Sequence, residues 1–306
     1  MITNLMRSGY GRLNGSLMES INKSYKNLKN IEFYKLIRAH ASPFVFPLRK
    51  MSTLDTVSPK ELEINKMLKQ IVSSKYSVHP FSIGLNRLNA RQVLERYLAM
   101  SEAFPFIQAG AYKNLIDQVI EGKICMSERI EKTFVVGSFL SWDETGGNYL
   151  IKTEGMKALP KILDTGDNFH SALLRKDLMN VFSETVRPDY CPSTRVYLTT
   201  LGKKLGSNLC FERCAMMVAF EMHAGQMIEA LWNALASELK LNKDDLIYFK
   251  IHVGGDDPGE VYHIKMVQKL LNSIVLESSD EAKKRFYSSF IHAYQLNIDW
   301  CDSICK

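Results

Sequence analysis

Residues 217–235, MVAFEMHAGQMIEALWNAL, contain the pattern that decides the fold of this chain. Apolar residues recur in it every three or four positions, as on the buried face of a helix. The same spacing predicts helices beginning at Pro59 and Asn89, and then at about 108–121, 126–145, 154–164, 167–185, 208–240, 243–254, 258–277 and 279–300. The sequence therefore predicts an all-α helical bundle.

Residue types at a few positions predict where individual elements begin or end. Pro59, preceded by a serine cap, is typical of a helix start, and Asn89 is typical of the cap of the next helix. Pro105 predicts a break at the end of that second helix. The segment Thr194–Thr200 has the weak alternation of a strand and is the one strand candidate.

The positive charge of the chain is concentrated at its N-terminus. Residues 1–52 contain nine Lys or Arg and two Glu, a net charge of +7, so residues 53–306 carry −1 of the total of +6. We interpret residues 1–52 as a basic, mostly disordered extension: a targeting segment, a surface-binding arm or an extended start upstream of Met51. Residues 53–306 form the predicted helical domain, and its near-neutral charge argues against nucleic-acid binding.

The sequence lacks a run of eighteen apolar residues, so it predicts no transmembrane segment, and its beginning lacks the apolar core of a secretory signal. The cysteines do not have the spacing of a zinc finger and are expected to be reduced thiols in a cytoplasmic protein. There are six of them: Cys125, Cys191, Cys210, Cys214, Cys301 and Cys305.

Several charged or polar side chains are predicted on core-facing helix stripes. Glu221 lies in the middle of the apolar stripe of residues 217–235. A carboxylate in such a position is unfavourable unless it is paired with a base or binds a metal ion. His170 lies on the leucine-rich side of its own helix, as a metal ligand or as a hydrogen-bonded core histidine. Glu144 ends an apolar helix before a Gly-Gly pair, and Asp143 competes with it for the same role.

Residues 251–263, IHVGGDDPGEVYH, have the highest density of potential ligands. His252 and Asp256 are four residues apart, and Glu260 and His263 are three apart, so each pair fits one side of a helix. The Gly-Gly pair and the proline between them predict an interruption of that helix. Which of these side chains point inward is therefore open.

The ligand types predict the kind of metal. Carboxylates and imidazoles without a thiolate favour iron or manganese over structural zinc, and inward ligands from facing helices form di-metal sites in bundles. A ferritin-like site needs two Glu-x-x-His pairs, and this chain has one, at Glu260 and His263. The other histidines have no obvious partner and are interpreted as structural or exposed: His40, His79, His223 and His292.

Four stretches of the chain resemble the heme-oxygenase-like di-metal oxidases and oxygenases, in particular an iron-containing redox enzyme family. They are SFLSWDETGG (138–147), DNFHSALLRKDL (167–178), VAFEMHAGQMIEALW (218–232) and IHVGGDDPGEVYHIKM (251–266), within a resemblance over roughly residues 55–300. The metal ligands that the resemblance implies are Glu144, His170, Glu221, His252, Asp256 and His263, with Glu260 as the alternative to His263. The family motif His-x-x-x-Asp-x-x-His would place its last histidine at position 259, where this chain has glycine.

The resemblance implies two iron ions, or iron with manganese, that activate dioxygen to oxidise a small organic or lipid-like substrate. It also implies a homodimer. Two other functions stay open: a metal-independent enzyme of the same fold, similar to thiaminase-type hydrolases or cofactor-free quinone synthases, and a non-enzymatic interaction or effector protein. A heme-degrading role fits least, because it leaves the clustered carboxylates unexplained.

Overall fold

The computed structural model describes residues 59–253, 260–276 and 278–306. Within these ranges every regular element is helical, which confirms the predicted all-α class. None of the helices searched there combines the length and the apolar character that crossing a membrane requires. The predicted extension, residues 1–52, lies outside the described residues.

The described helices have these bounds in chain order: α1 (Pro59–Lys75), α2 (Pro80–Gly84), α3 (Ala90–Ile120), α4 (Glu128–Glu144), α5 (Gly147–Glu154), α6 (Thr165–Asn168), α7 (His170–Phe182), α8 (Pro192–Leu205), α9 (Cys210–Leu239), α10 (Ile247–His252), α11 (Glu260–Leu271) and α12 (Asp280–Ile304). Two 3₁₀ segments, Met156–Leu163 and Lys243–Asp245, and a π-helical turn, Asn272–Leu276, complete the set.

The stretch 217–235 lies in α9, which is the central helix of the described domain. α9 packs most extensively against α12 and also contacts α2, α4, α8, α10 and α11. Its buried residues include Met217, Ile228 and Leu231, as the apolar spacing predicts. Because α9 is covered on several sides, polar side chains on different faces of it, such as Glu221 and His223, lie in the interior.

The predicted break at Pro105 is wrong, because α3 continues through this residue to Ile120. Proline removes one main-chain hydrogen bond from a helix. Tertiary contacts hold the helix together here: Phe104 stacks on Phe220 with ring centroids 4.2 Å apart, and the Ser141 hydroxyl donates to the Pro105 carbonyl at 3.3 Å. Packing therefore outweighs the local preference to end the helix.

The predicted strand at Thr194–Thr200 is also wrong, because these residues belong to α8. Thr194, Tyr197, Leu198 and Leu201 are buried at three- and four-residue spacing, which is the pattern of a helix. The alternation that suggested a strand covers too few residues to outweigh this longer pattern.

One predicted helix start is found at the expected residue, because Asn89 directly precedes α3. The described part of α1 begins at Pro59, and its predicted serine cap lies outside the described residues. The side chain of Asn89 does not cap α3, however. Its amide donates to the carbonyls of Gly84 at 2.8 Å and of Cys305 at 2.7 Å, so this residue instead ties the end of α2 to the end of α12.

Candidate metal centre

Three predicted ligands, Glu144, His170 and His252, converge at one point in the domain. Glu144 is the last residue of α4, His170 the first of α7 and His252 the last of α10. One ligand atom from each lies within 4.8 Å of the other two. Nδ1 of His170 is 3.4 Å from Oε2 of Glu144, and the rings of His170 and His252 are 4.5 Å apart between centroids. One metal ion could therefore contact all three side chains.

Gly146 allows the first two of these residues to approach each other. Its φ of 77° lies in the left-handed region that favours glycine, and it lies two residues after the end of α4. A Cβ at this position would collide with the main-chain carbonyl of Asn168, two residues before His170. The absence of a side chain therefore lets the end of α4, with Glu144, lie against the start of α7.

The ring of His252 is oriented by the main chain of its own helix. Its Nδ1 donates to the carbonyl of Tyr248 at 2.7 Å. In a neutral imidazole this places the lone pair on Nε2. Metal-binding histidines typically donate their other ring N–H to an acceptor in this way. The Tyr248 ring packs against that of His252 at 4.2 Å, and its hydroxyl shares a 2.9 Å hydrogen bond with the hydroxyl of Tyr97.

His263, on α11, lies between two carboxylates. Its Nε2 is 2.6 Å from Oδ2 of Asp143, and its Nδ1 is 3.2 Å from Oε2 of Glu221. The Asp143 side chain is fully buried, and its other oxygen has no hydrogen bond of normal geometry within the described part of the chain. Because Asp143 directly precedes Glu144, this second group adjoins the first. From the sequence, Asp143 and Glu144 were alternatives for one ligand position. In the structure Asp143 contacts His263, and Glu144 contacts His170.

Two of the predicted ligands, Asp256 and Glu260, have no described side chain. Asp256 is outside the described residues, and only the main chain of Glu260 is described, as the first residue of α11. α10 ends at His252, and α11 is described from Glu260; the Gly-Gly pair and the proline of the predicted interruption lie outside the described residues.

The electrostatics of the site keep the Asp143 and Glu144 carboxyls charged and the His252 imidazole neutral. Burial raises the pKa of Asp143 and of Glu144, but the neighbouring histidines, His263 and His170 respectively, lower each pKa by more, so both lie below their ordinary values. Burial lowers the pKa of His252 to about 4. At neutral pH these three groups therefore have the protonation states that metal ligands need.

A cavity of about 1140 Å³ borders the site. Glu221 and His252 both line it, so the site is accessible from the cavity. Apolar side chains from α1, α9 and α11 form part of the wall, and polar side chains form the rest. The polar side chains include Lys69, Tyr76, Gln226, Glu229 and Asn233.

Sequence reasoning missed several residues that build this region. Tyr248 packs on His252, and its hydroxyl bonds to that of Tyr97, which lies on a separate helix 151 residues away in the chain. Asp177, fully buried on α7, accepts hydrogen bonds from the first two main-chain N–H groups of α10. A buried acid on an apolar stripe was the available signal for Asp177, the same signal that identified Glu221.

Comparisons with known proteins support the fold. No protein-family model matches the sequence, and no curated protein matches it. The chain is similar to the crystal structure of a CADD-like protein of unknown function from Nostoc punctiforme PCC 73102. The TM-score is 0.57 at 13% sequence identity, and the match covers 81% of this chain and 98% of that one. At this identity the likeness is evidence for the fold alone, and it supports the predicted all-α helical bundle.

Proposed function

We propose that this protein is a non-heme di-metal oxidase or oxygenase that binds two iron ions, or iron with manganese. The observation that carries the proposal is the convergence of Glu144, His170 and His252, whose ligand atoms lie within 4.8 Å of one another. Oxygen and imidazole ligands without a thiolate are the set that these metals prefer. Helical bundles build di-metal sites from such inward-facing side chains.

Glu221, His263 and Asp143 would provide ligands for a second ion beside the first. The contacts of His263 with both carboxylates bring these three side chains together. Three buried or nearly buried carboxylates in one region, counting Glu144, are unfavourable without a compensating positive charge. Two divalent cations would supply that charge, and Asp256, if it faces this region, would be a further ligand.

When bound, the two metal ions would supply the activation of dioxygen, and the protein side chains would control where that chemistry takes place. The hydrogen bond from His252 to the Tyr248 carbonyl would fix the ligating nitrogen. The helices around Glu144 and His170 would limit access by water, because the His170 side chain is 2% exposed and that of Glu144 16% exposed. The substrate would approach from the cavity that Glu221 and His252 line.

The cavity supports a small organic substrate with polar groups over a long acyl chain. Amide, hydroxyl and charged side chains, among them Lys69, Gln226 and Asn233, are interspersed with the apolar wall. Small-molecule sites typically combine an apolar surface with a few polar groups that fix the orientation of the ligand. A continuous apolar tunnel would suit a lipid better.

The proposal is tested by loading the protein with ferrous iron under anaerobic conditions, measuring bound metal, and recording visible absorption after oxygen is added. We expect about two metal ions per chain, as a di-metal site requires, and an oxygen-dependent absorption change. Glu144→Ala and His170→Ala should lose both. His292→Ala, which removes an exposed histidine from α12, is the matched control and should behave as the wild type.

A folded protein that binds no iron, with no response to oxygen in any variant, would contradict the proposal. Turnover by that metal-free protein would then favour a metal-independent enzyme of the same fold. Loss of partner binding after removal of residues 1–52, without turnover, would favour an interaction protein. The homodimer and a cytoplasmic location stay predictions.

A further inference from the structure

A second group of potential ligands lies away from the carboxylates. His79, directly before α2, His223 on α9 and Cys301 on α12 each place one ligand atom within 4.8 Å of the others. The Nε2 atoms of His79 and His223 are 3.1 Å apart. The sequence indicated no partner for these two histidines, which were interpreted as structural or exposed, and in the structure they contact each other.

Two of the three side chains are shielded from solvent, His79 is half-buried, and none of the three carries a charge at neutral pH. Cys301 is fully buried and His223 is 1% exposed. Burial lowers the pKa of His79 to about 4 and that of His223 well below its ordinary value, and burial raises the pKa of the Cys301 thiol. Both imidazoles therefore keep a ring nitrogen with a lone pair, which metal coordination requires.

We propose that His79, His223 and Cys301 bind one divalent metal ion of the zinc type. Two nitrogens bound to zinc at 2.0–2.1 Å in tetrahedral geometry are about 3.3 Å apart, close to the separation of these two Nε2 atoms. Two imidazoles and a thiolate suit a borderline-soft ion, whereas the carboxylate-rich set around Glu144 suits a hard one. The two sites would therefore select different metals.

The site has three protein ligands and one open side. His79 lines the same cavity that borders Glu221 and His252, so a water molecule or a small ligand could reach the fourth coordination position from there. Three protein ligands with an open position are typical of catalytic rather than structural zinc sites. The cavity also provides the path by which the ion would enter.

Metal binding would replace existing hydrogen bonds of these side chains with bonds to the ion and would release a proton. The main-chain N–H of Phe81 donates to Nδ1 of His79 at 3.2 Å, so the ring proton is on Nε2 and is shared with His223. When Nε2 of His79 binds the ion, the ring proton moves to Nδ1 and the contact with Phe81 is given up. The thiol of Cys301 loses its proton to solvent and binds as a thiolate.

Cobalt(II) distinguishes this site from the carboxylate site, because only a thiolate ligand gives an intense near-ultraviolet charge-transfer band with this ion. We would titrate the full chain with Co²⁺, record that band, and then displace the ion with Zn²⁺. Cys301→Ser and Cys301→Ala remove the thiolate, and His223→Ala removes one imidazole. Cys305→Ser, four residues further along α12, and Cys214→Ser, an equally buried cysteine of α9, are the matched controls.

We expect one thiolate-bound cobalt per chain, displaced by zinc, with no band in either Cys301 variant and at least tenfold weaker binding in His223→Ala. Cys305→Ser, Cys214→Ser and Glu144→Ala should keep the band, the last because the carboxylate site is separate. Absence of the band from folded wild-type protein, its persistence in Cys301→Ala, or an equal loss in Cys305→Ser would overturn the proposal. If Glu144→Ala fails to bind iron but keeps the thiolate–cobalt band, the result bears on the proposed oxidase site and leaves this second site unaffected.

Discussion

Replacing Asp177 with alanine tests how the candidate metal centre is held together. This residue is fully buried on α7, seven positions after His170. Its two carboxylate oxygens accept the main-chain N–H groups of Ile247 at 2.9 Å and Tyr248 at 2.8 Å, which begin α10. Since the Tyr248 carbonyl in turn orients His252, Asp177 connects the helices that carry two of the three converging ligands.

The magnitude follows from the two hydrogen bonds. Alanine leaves both N–H groups of α10 without an acceptor, and a buried donor without a partner costs about 1–3 kcal/mol. Removal of a helix N-cap by itself typically costs about 1 kcal/mol. Burial already raises the pKa of Asp177 to about 6, so the charged carboxylate is destabilised in the fold. Part of the free energy that the two hydrogen bonds contribute therefore offsets the cost of burying this charge. We therefore expect Asp177→Ala to lower the free energy of unfolding by about 2–4 kcal/mol at pH 7.

Asp177→Asn keeps one acceptor oxygen and should lose about half as much. Urea unfolding followed by circular dichroism measures both variants. Asp167→Ala is the matched control, because Asp167 is an exposed residue whose ion pair with Lys176 is worth at most about 1 kcal/mol. Asp177→Ala should also bind iron more weakly than Asp167→Ala. Equal stability of wild type and Asp177→Ala would refute the role assigned to the two hydrogen bonds.

Three further predictions concern charge and packing near the site. The pKa of about 6 for folded Asp177 lies above the unfolded value of about 3.9, so the folded state binds more protons between these values. The stability advantage of wild type over Asp177→Asn should therefore grow by about 1 kcal/mol from pH 7.5 to pH 5, measured by urea unfolding at both pH values. Asp143→Asn, which weakens the contact with His263, should lower bound iron by about one ion per chain in metal analysis while the thiolate–cobalt band is unchanged. Gly137→Ala should lower the free energy of unfolding by about 2 kcal/mol, because its Cβ would collide with the hydroxyl of Tyr112, and thermal unfolding measures this.

The sequence was sufficient for the fold class because the helical pattern extends over long segments. The stripe of residues 217–235 predicted a buried helix, and α9 is that helix. The errors at Pro105 and at Thr194–Thr200 share one cause. In both places a short local signal was outweighed: at Pro105 by packing such as the stacking of Phe104 on Phe220, and at Thr194–Thr200 by the longer helical pattern of buried residues.

The candidate centre was partly predictable for a related reason. A charged or polar residue on an apolar stripe identified Glu221 and His170, and the His-rich segment identified His252 and His263. The sequence could not tell which of these would meet, because that depends on how α4, α7, α10 and α11 pack. The structure brings His252 to Glu144 and His170, and it brings His263 to Glu221 rather than pairing the two late histidines.

The second group, of His79, His223 and Cys301, was beyond sequence reasoning for a geometric reason. His79 precedes a helix of a single turn and lies on no apolar stripe, and its contact with His223 joins residues 144 positions apart. His223 is two residues from Glu221, about 200° around the same helix, so the sequence already separated the two faces of α9. What lies opposite each face is set by the neighbouring helices. One face of α9 meets the histidine of α11 and the other the thiol of α12, and this difference in neighbours would give the two proposed sites on one central helix different metal preferences.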